Sequence, residues 1–291
     1  MSRLNRTVSV APMMDCTDKH ERFFLRLISK NVLLYTEMIV SEAIDRGDKK
    51  KLLEFDMREK PVALQLGGSS PKLLGNAAYL GEEFGYDEVN LNLGCPSKKV
   101  QKNRFGACLI QEPNLVADCL SEMISKTSIP VTVKTRIGYD NVDQYENLYN
   151  FVNILKETGV KTFIIHARKA MLGKFTPKQN LNIPPLKYEY VNRLKKDFKD
   201  LEIIINGGIT STDQIKEHLD NVDGVMIGRS IYHSPYMLAD IENQIFNNSE
   251  VLTRQEVVEK LIEYVKEEIK KGIRLNQIMR HTLGLFHGQT G

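Results

Sequence analysis

The run Asn92-Leu93-Gly94-Cys95-Pro96-Ser97 places a thiol just after an apolar stretch and just before a proline. A buried cysteine is ordinarily a small inert hydrophobe. Cys95 instead ends its stretch beside polar groups, the setting of a thiol that acts on a substrate. Two further stretches, Ile205-Asn206-Gly207-Gly208 and Met226-Ile227-Gly228-Arg229, end in glycines. Glycines there let backbone amides approach an anion closely, and Arg229 can neutralise it. These features predict a phosphate-bearing cofactor, and by themselves they suit flavin mononucleotide (FMN) and a sugar phosphate equally. Cys108 and Cys119 sit among apolar neighbours and read as packing residues, whereas the role of Cys16, in a loop, stays open. The four cysteines have neither zinc-site spacing nor the density of a disulfide scaffold, so free thiols and no metal are expected.

Placing such residues together requires a scaffold, and the pattern supplies one. Eight short β-branched runs, at 8–13, 33–38, 62–67, 88–94, 131–136, 162–168, 203–208 and 224–229, read as strands. Helical periodicity fills the intervals at 71–84, 115–125, 145–158, 188–198 and 212–218, with Ser70-Pro71 as a cap and first-turn proline. Eight strand-then-helix units predict a closed α/β barrel, the (β/α)8 or TIM barrel. An open doubly wound sheet is the rival, but no G-x-G-x-x-G follows the first strand. Period-two reading turns Gln65, Asn90, Asn92, Lys134, His166 and Asn206 into the barrel, opposite the apolar sets of their strands. Five strands thus send polar groups toward one mouth, and their burial predicts that they converge on a polar ligand rather than on each other.

After Arg229 the pattern changes. The segment 231–246 reads as the last barrel helix, Asn247-Asn248-Ser249 as a linker, and Thr253-Arg254-Gln255-Glu256 as a capping box. The helix it opens carries Val257, Val258, Leu261, Ile262, Val265 and Ile269 on one stripe and stops at Gly272. The expected division is a barrel over 1–246 and a small C-terminal helical domain over 247–291, short at its C-terminus and ending on the turn-like Gly288-Gln289-Thr290-Gly291. Its 291 residues, 42% of them hydrophobic, suffice for one such barrel and an appendage. With 40 basic against 37 acidic residues, net charge barely hints at an anionic partner, so local placement must decide. The N-terminal residues lack the apolar core of a signal peptide and no stretch could span a bilayer, so a cytoplasmic protein is expected.

Taken together, Ala11-Pro12-Met13-Met14-Asp15, Leu34-Tyr35-Thr36-Glu37-Met38, Gln65-Leu66-Gly67, Asn92-Leu93-Gly94-Cys95-Pro96-Ser97 and His166-Ala167-Arg168 resemble the tRNA-dihydrouridine synthases. The stretch from Arg168-Lys169-Ala170 to Asn182-Ile183-Pro184-Pro185-Leu186 resembles their bacterial A-type branch. The likeness runs from about residue 8 onward. It implies an enzyme that binds FMN, takes hydride from NADPH and reduces the uridine C5=C6 bond in the tRNA D-loop, at positions 20 and 20a.

The resemblance also implies roles. Ala11, Pro12, Met13, Gln65, Lys134 and His166 would surround the flavin ring, with Lys134 near its N1 edge; Asn206, Gly207, Gly208, Gly228 and Arg229 would take its phosphate. Cys95 would donate the proton to C5, since an ordinary thiol holds its proton at neutral pH yet yields it to a developing enolate. Asn92 would hold the uracil edge, and Arg168 and Lys178 would meet the tRNA. Lys98, Lys99, Lys102, Arg104, Lys169 and Lys174 are further basic residues expected around the mouth, because a uridine pulled from its stack needs a cationic surface. A small-molecule flavin oxidoreductase of the dihydroorotate dehydrogenase type is the alternative sharing barrel and cofactor. A Schiff-base aldolase using Lys134 is a more distant one.

Overall fold

A computed structural model describes residues 4–289, so the expected turn at Thr290-Gly291 falls outside the described residues. Nine parallel strands occur in chain order: β1 (Val8–Val10), β2 (Leu33–Tyr35), β3 (Ile39–Val40), β4 (Val62–Gly67), β5 (Glu88–Leu93), β6 (Val131–Arg136), β7 (Thr162–His166), β8 (Glu202–Asn206) and β9 (Gly224–Ile227). β1 pairs with both β2 and β9, β2 also pairs with β4, and each strand from β4 to β8 pairs with its successor. The ring therefore closes through eight strands. β3 is a short continuation of the second staff, pairing with the far end of β4. The expected single strand over 33–38 is interrupted because the Thr36 hydroxyl, rather than a backbone carbonyl, accepts the Gln65 N–H at 3.0 Å.

Alternation along the strands divides two cores. Outward residues such as Val62, Leu64, Val89, Leu91, Val133, Phe163, Ile203 and Val225 pack into the large buried cluster under the helices. Inward ones make a smaller plug of Leu33, Tyr35, Ala63, Ile164, Ile204 and Met226. Sequence periodicity ran the strands past their ends at 11–13, 167–168, 207–208 and 228–229; there the chain has already left the sheet, as βα loops at the first three and, at Arg229, as the start of a helix. Ser70 precedes the helix Pro71–Glu83, but its hydroxyl makes no capping bond.

The expected helix over 231–246 is two helices, Arg229–His233 and Met237–Gln244. Pro235 divides them, since it offers no N–H and disfavours a helical residue before it. Thr253 and Glu256 cap one another as predicted, opening Arg254–Lys270, and Gly272 ends it at φ +88°. The buried stripe of this helix is Val257, Leu261, Tyr264 and Glu268; Ile262 and Ile269, assigned to it by sequence, are each 47% exposed. A strict 4-3-4 spacing places the former set on one face and turns the two isoleucines away.

That stripe docks on the first barrel helix, Lys19–Ile28. Phe23 and Tyr264 stack with ring centroids 3.8 Å apart, and His20 Nδ1 lies 2.7 Å from the Tyr264 hydroxyl. Asp18, which caps that helix, also receives Arg280 at 2.7 Å and His281 at 3.0 Å. Burial pushes the neighbouring Glu21 carboxyl well up, and the Asp18 charge adds to the effect.

Candidate active site

A cavity of about 390 Å³ opens at the C-terminal ends of the strands. This lies within the roughly 300–1,000 Å³ of small-molecule sites. It is lined by Ala11, Pro12, Met13, Gln65, Asn92, Cys95, Lys134, His166, Asn206, Gly207, Gly208, Gly228 and Arg229, which sequence reading had nominated. A shallower recess of about 200 Å³ shares Asn206, Gly207, Gly208, Gly228 and Arg229 with it and adds Ser230 and His233. Gly207 and Gly208 have φ of +118° and +74°, a region side-chain-bearing residues avoid. A Cβ on Gly207 would stand 3.1 Å from His166 Cε1. Those glycines hold bare backbone against the cavity.

Two expectations need correction. The inward polar groups do bond to one another: Asn92 Nδ2 donates to Gln65 Oε1 at 2.8 Å, and Lys134 Nζ donates to Asn206 Oδ1 at 2.9 Å. Asn90 lies one level deeper than the cavity, fully buried between Gln65 and Thr132. Asn92 is engaged at both ends, because its Oδ1 also accepts the backbone N–H groups of Gly94 and Cys95 at 3.1 and 3.0 Å.

The charged groups of the lining are all basic: Lys134, Arg136 and Arg229 line the cavity, and among the described residues no carboxylate does. Burial, aided by Arg136, pushes the Lys134 ammonium down to about 7. Arg136 itself is depressed to about 10, mainly by burial. His166 is driven well below its ordinary value by burial and then by Arg136, Lys134, Arg168 and Arg229, so it is neutral. Its Nδ1 accepts the Arg168 N–H at 3.2 Å, which leaves the ring proton on Nε2 as a donor. Buried cations without counter-charges are costly unless an anion joins them.

Arg136 is the functional residue that sequence reading missed. Its guanidinium donates to the carbonyls of Gly94 at 2.8 Å, Lys169 at 3.2 Å and Asn180 at 3.2 Å, tying the loop after β5 to the connection after β7 at two points. The parity that turned Lys134 inward also applies two residues on, and was the available signal. Met14, Cys16, Met38, Pro177 and Leu181 also line the cavity. Arg168 and Lys178 do not. Arg168 donates to the Pro184 carbonyl, and Lys178 is exposed on the short helix Pro177–Asn180. Two of the other basic candidates are paired with acids, Arg104 with Glu112 and Lys169 with Asp143, both at 3.1 Å. Lys98, Lys99, Lys102 and Lys174 are exposed.

A parallel eight-stranded barrel with a cationic cavity, two glycine-lined strand ends and a cysteine on its rim defines the (β/α)8 class, with a mouth whose chemistry suits an anion. Comparison with known proteins narrows the class. Residues 9–291 match the family model described as Dihydrouridine synthase (Dus), and the chain belongs to that family of flavin-dependent oxidoreductases. It is 53% identical over 283 residues to a tRNA-dihydrouridine(20/20a) synthase of Synechocystis sp., covering 97% of this chain and 85% of that protein. Proteins of the same description from Shewanella oneidensis and Vibrio vulnificus are 51% and 52% identical, over 99% and 98% of this chain and 86% and 87% of theirs.

Proposed function

We propose that this enzyme works in the cytoplasm and reduces the C5=C6 bond of uridine in the D-loop of tRNA, at positions 20 and 20a, with FMN as bound cofactor and NADPH as reductant. The observation that carries this reading is the acid-free cationic cavity with Cys95 at its rim. FMN fits the donors present: two glycine-lined strand ends and Arg229 for its phosphate, and Lys134, Gln65 and the neutral His166 for the polar edge of its ring, against the backbone of Ala11, Pro12 and Met13. When bound and reduced, the flavin supplies hydride to C6 of the uracil.

The residues of the chain do the rest. Cys95 gives its Sγ proton to C5, completing the addition of two electrons and two protons' worth of hydrogen across the double bond. Lys134, whose ammonium burial and Arg136 push down to about 7, is held charged by an anionic partner and stabilises negative charge there. Asn92 orients the Gly94-Cys95 backbone and offers the uracil edge its second Nδ2 hydrogen. Arg168, Lys178, Lys98, Lys99 and Lys102 contribute contacts to the RNA backbone.

The purified protein is expected to absorb in the visible with flavin bands, and prereduced enzyme to convert uridine to dihydrouridine in a tRNA transcript, read by mass spectrometry. If saturating FMN neither binds nor raises thermal stability, the cofactor assignment fails. Oxidation of free dihydropyrimidines by the enzyme, with tRNA left unmodified, would move the chain to small-molecule chemistry.

A further inference from the structure

Beneath the cysteine, buried polar groups stack along the barrel axis in one continuous column. At its foot Glu88 accepts from Arg6 Nε, the Tyr35 hydroxyl and Thr132 Oγ1, each at 2.6 Å. Above it, Asn90 donates to Thr132 Oγ1 at 2.8 Å and accepts from Gln65 Nε2 at 2.8 Å. Gln65 accepts from Asn92, whose Oδ1 takes the N–H groups of Gly94 and Cys95. Register makes this possible, since Gln65 lies beside Asn90 and Asn90 beside Thr132.

The column has a sense. A carboxylate here only accepts and a backbone N–H only donates, so the two ends fix the polarity of everything between them. Thr132 has one hydroxyl proton; giving it to Glu88 leaves Thr132 accepting from Asn90. Each amide above must then turn its NH2 toward the foot and its carbonyl toward the mouth. Reversing one would set donor against donor on one side and acceptor against acceptor on the other, in an interior that offers no substitute partner. The column also follows the strand that ends in the cysteine. β7 and β8 carry Ile164 and Ile204 at mid-height, whereas β5 is polar at all three inward levels, Glu88, Asn90 and Asn92.

We infer that Glu88 and Thr132 are positioning residues that hold the Gly94-Cys95 turn from the far end of the barrel, acting through Asn90, Gln65 and Asn92. Only the catalytic consequence rests on the proposed function, because the column holds the turn whatever Cys95 does.

The test compares Thr132→Val, which keeps the shape and removes the hydroxyl, with Thr132→Ser, which keeps the hydroxyl. Amide hydrogen exchange of the full-length protein reads the turn. In Thr132→Val the Gly94 and Cys95 amides should exchange about tenfold faster or more, as expected when the far acceptor loses its orientation. The Val89 amide, bonded to the Pro130 carbonyl at 2.9 Å in the ladder, should not change, and Thr132→Ser should restore the parent rates. Unchanged exchange at Gly94 and Cys95 would overturn the inference, and so would faster exchange spread evenly through β5. Single-turnover dihydrouridine formation by prereduced Thr132→Val should fall about tenfold and recover in the serine variant. Local loosening with an undiminished rate would uphold the column and count against Cys95 as the proton donor.

Discussion

The two ends of the barrel axis are both rich in buried charge, yet they are built on opposite plans. At the foot, Arg6 meets Glu88 at 2.6 Å and Glu202 at 3.0 Å, and Thr162 donates to Glu202 at 2.7 Å. The cavity there, about 530 Å³, is lined by Arg6 and Lys161 and by as many acids, Asp200 and Glu202. At the mouth, Lys134, Arg136 and Arg229 line a cavity of about 390 Å³ with no acid among the described residues. The contrast teaches that a hollow alone is a poor guide to a site. Charge left for a ligand to balance is the better one.

Cys95→Ala should produce the largest effect and touch the mouth alone. Dihydrouridine formation by prereduced enzyme is expected to fall about 10²–10⁴-fold, the contribution of a positioned general acid, while FMN binding and NADPH oxidation persist. A parallel fall in stability and all activities would make Cys95 a packing residue. Arg6→Met should act first on stability, from the foot. It strands the buried Glu88, and loss of one partner of a buried pair costs about 3–5 kcal/mol, measurable by denaturant unfolding, with phosphate affinity retained.

Arg229→Ala is the mirror experiment. FMN affinity should weaken by about 1.5–3 kcal/mol, the range of a charge-assisted contact, with little change in unfolding free energy. This arginine also donates to Asn182 Oδ1 at 2.7 Å and the Leu181 carbonyl at 3.3 Å, contacts that hold it at the cavity. If stability rather than affinity suffers, the two ends are less distinct than their charges suggest.

The smallest effect is a pH dependence. Lys134 has a folded value near 7 against 10.5 when free. Between those values the unfolded chain binds a proton that the folded chain does not, so the stability of the FMN-free protein should rise as pH rises from 7 toward 10. Lys134→Met should flatten that rise, read as denaturation midpoint against pH. An equal rise in both proteins would assign it to other groups.

Much of this was legible in the sequence, for a physical reason. Two-residue alternation is enforced wherever one strand face meets apolar helices, so Gln65, Asn92, Lys134, His166 and Asn206 could be turned inward from pattern alone. What pattern could not show was depth. Asn90 and Asn92 share one parity, yet one is sealed below the cavity and the other borders it. Nor could it show that inward amides satisfy each other, because that depends on register between strands. The overlong strands have the same origin: Ala11-Pro12-Met13 and Gly207-Gly208 continue strand-like runs, but they are where the chain bends away to wall the site. Arg136 was passed over although the same alternation pointed to it.

The clasp between Asp18 and Arg280 joins residues 262 positions apart. During synthesis the first barrel helix is made early, and its capping aspartate and the face bearing Phe23 must wait for the helix Arg254–Lys270 and the segment beyond it. Strand β1 waits in the same way for β9. Such distant contacts close late and slow folding, since the intervening loop entropy must be met before they form. Until then the nascent chain presents an open sheet edge and an uncovered aromatic face, the surfaces by which an incomplete barrel would be recognised by chaperones or lost to aggregation.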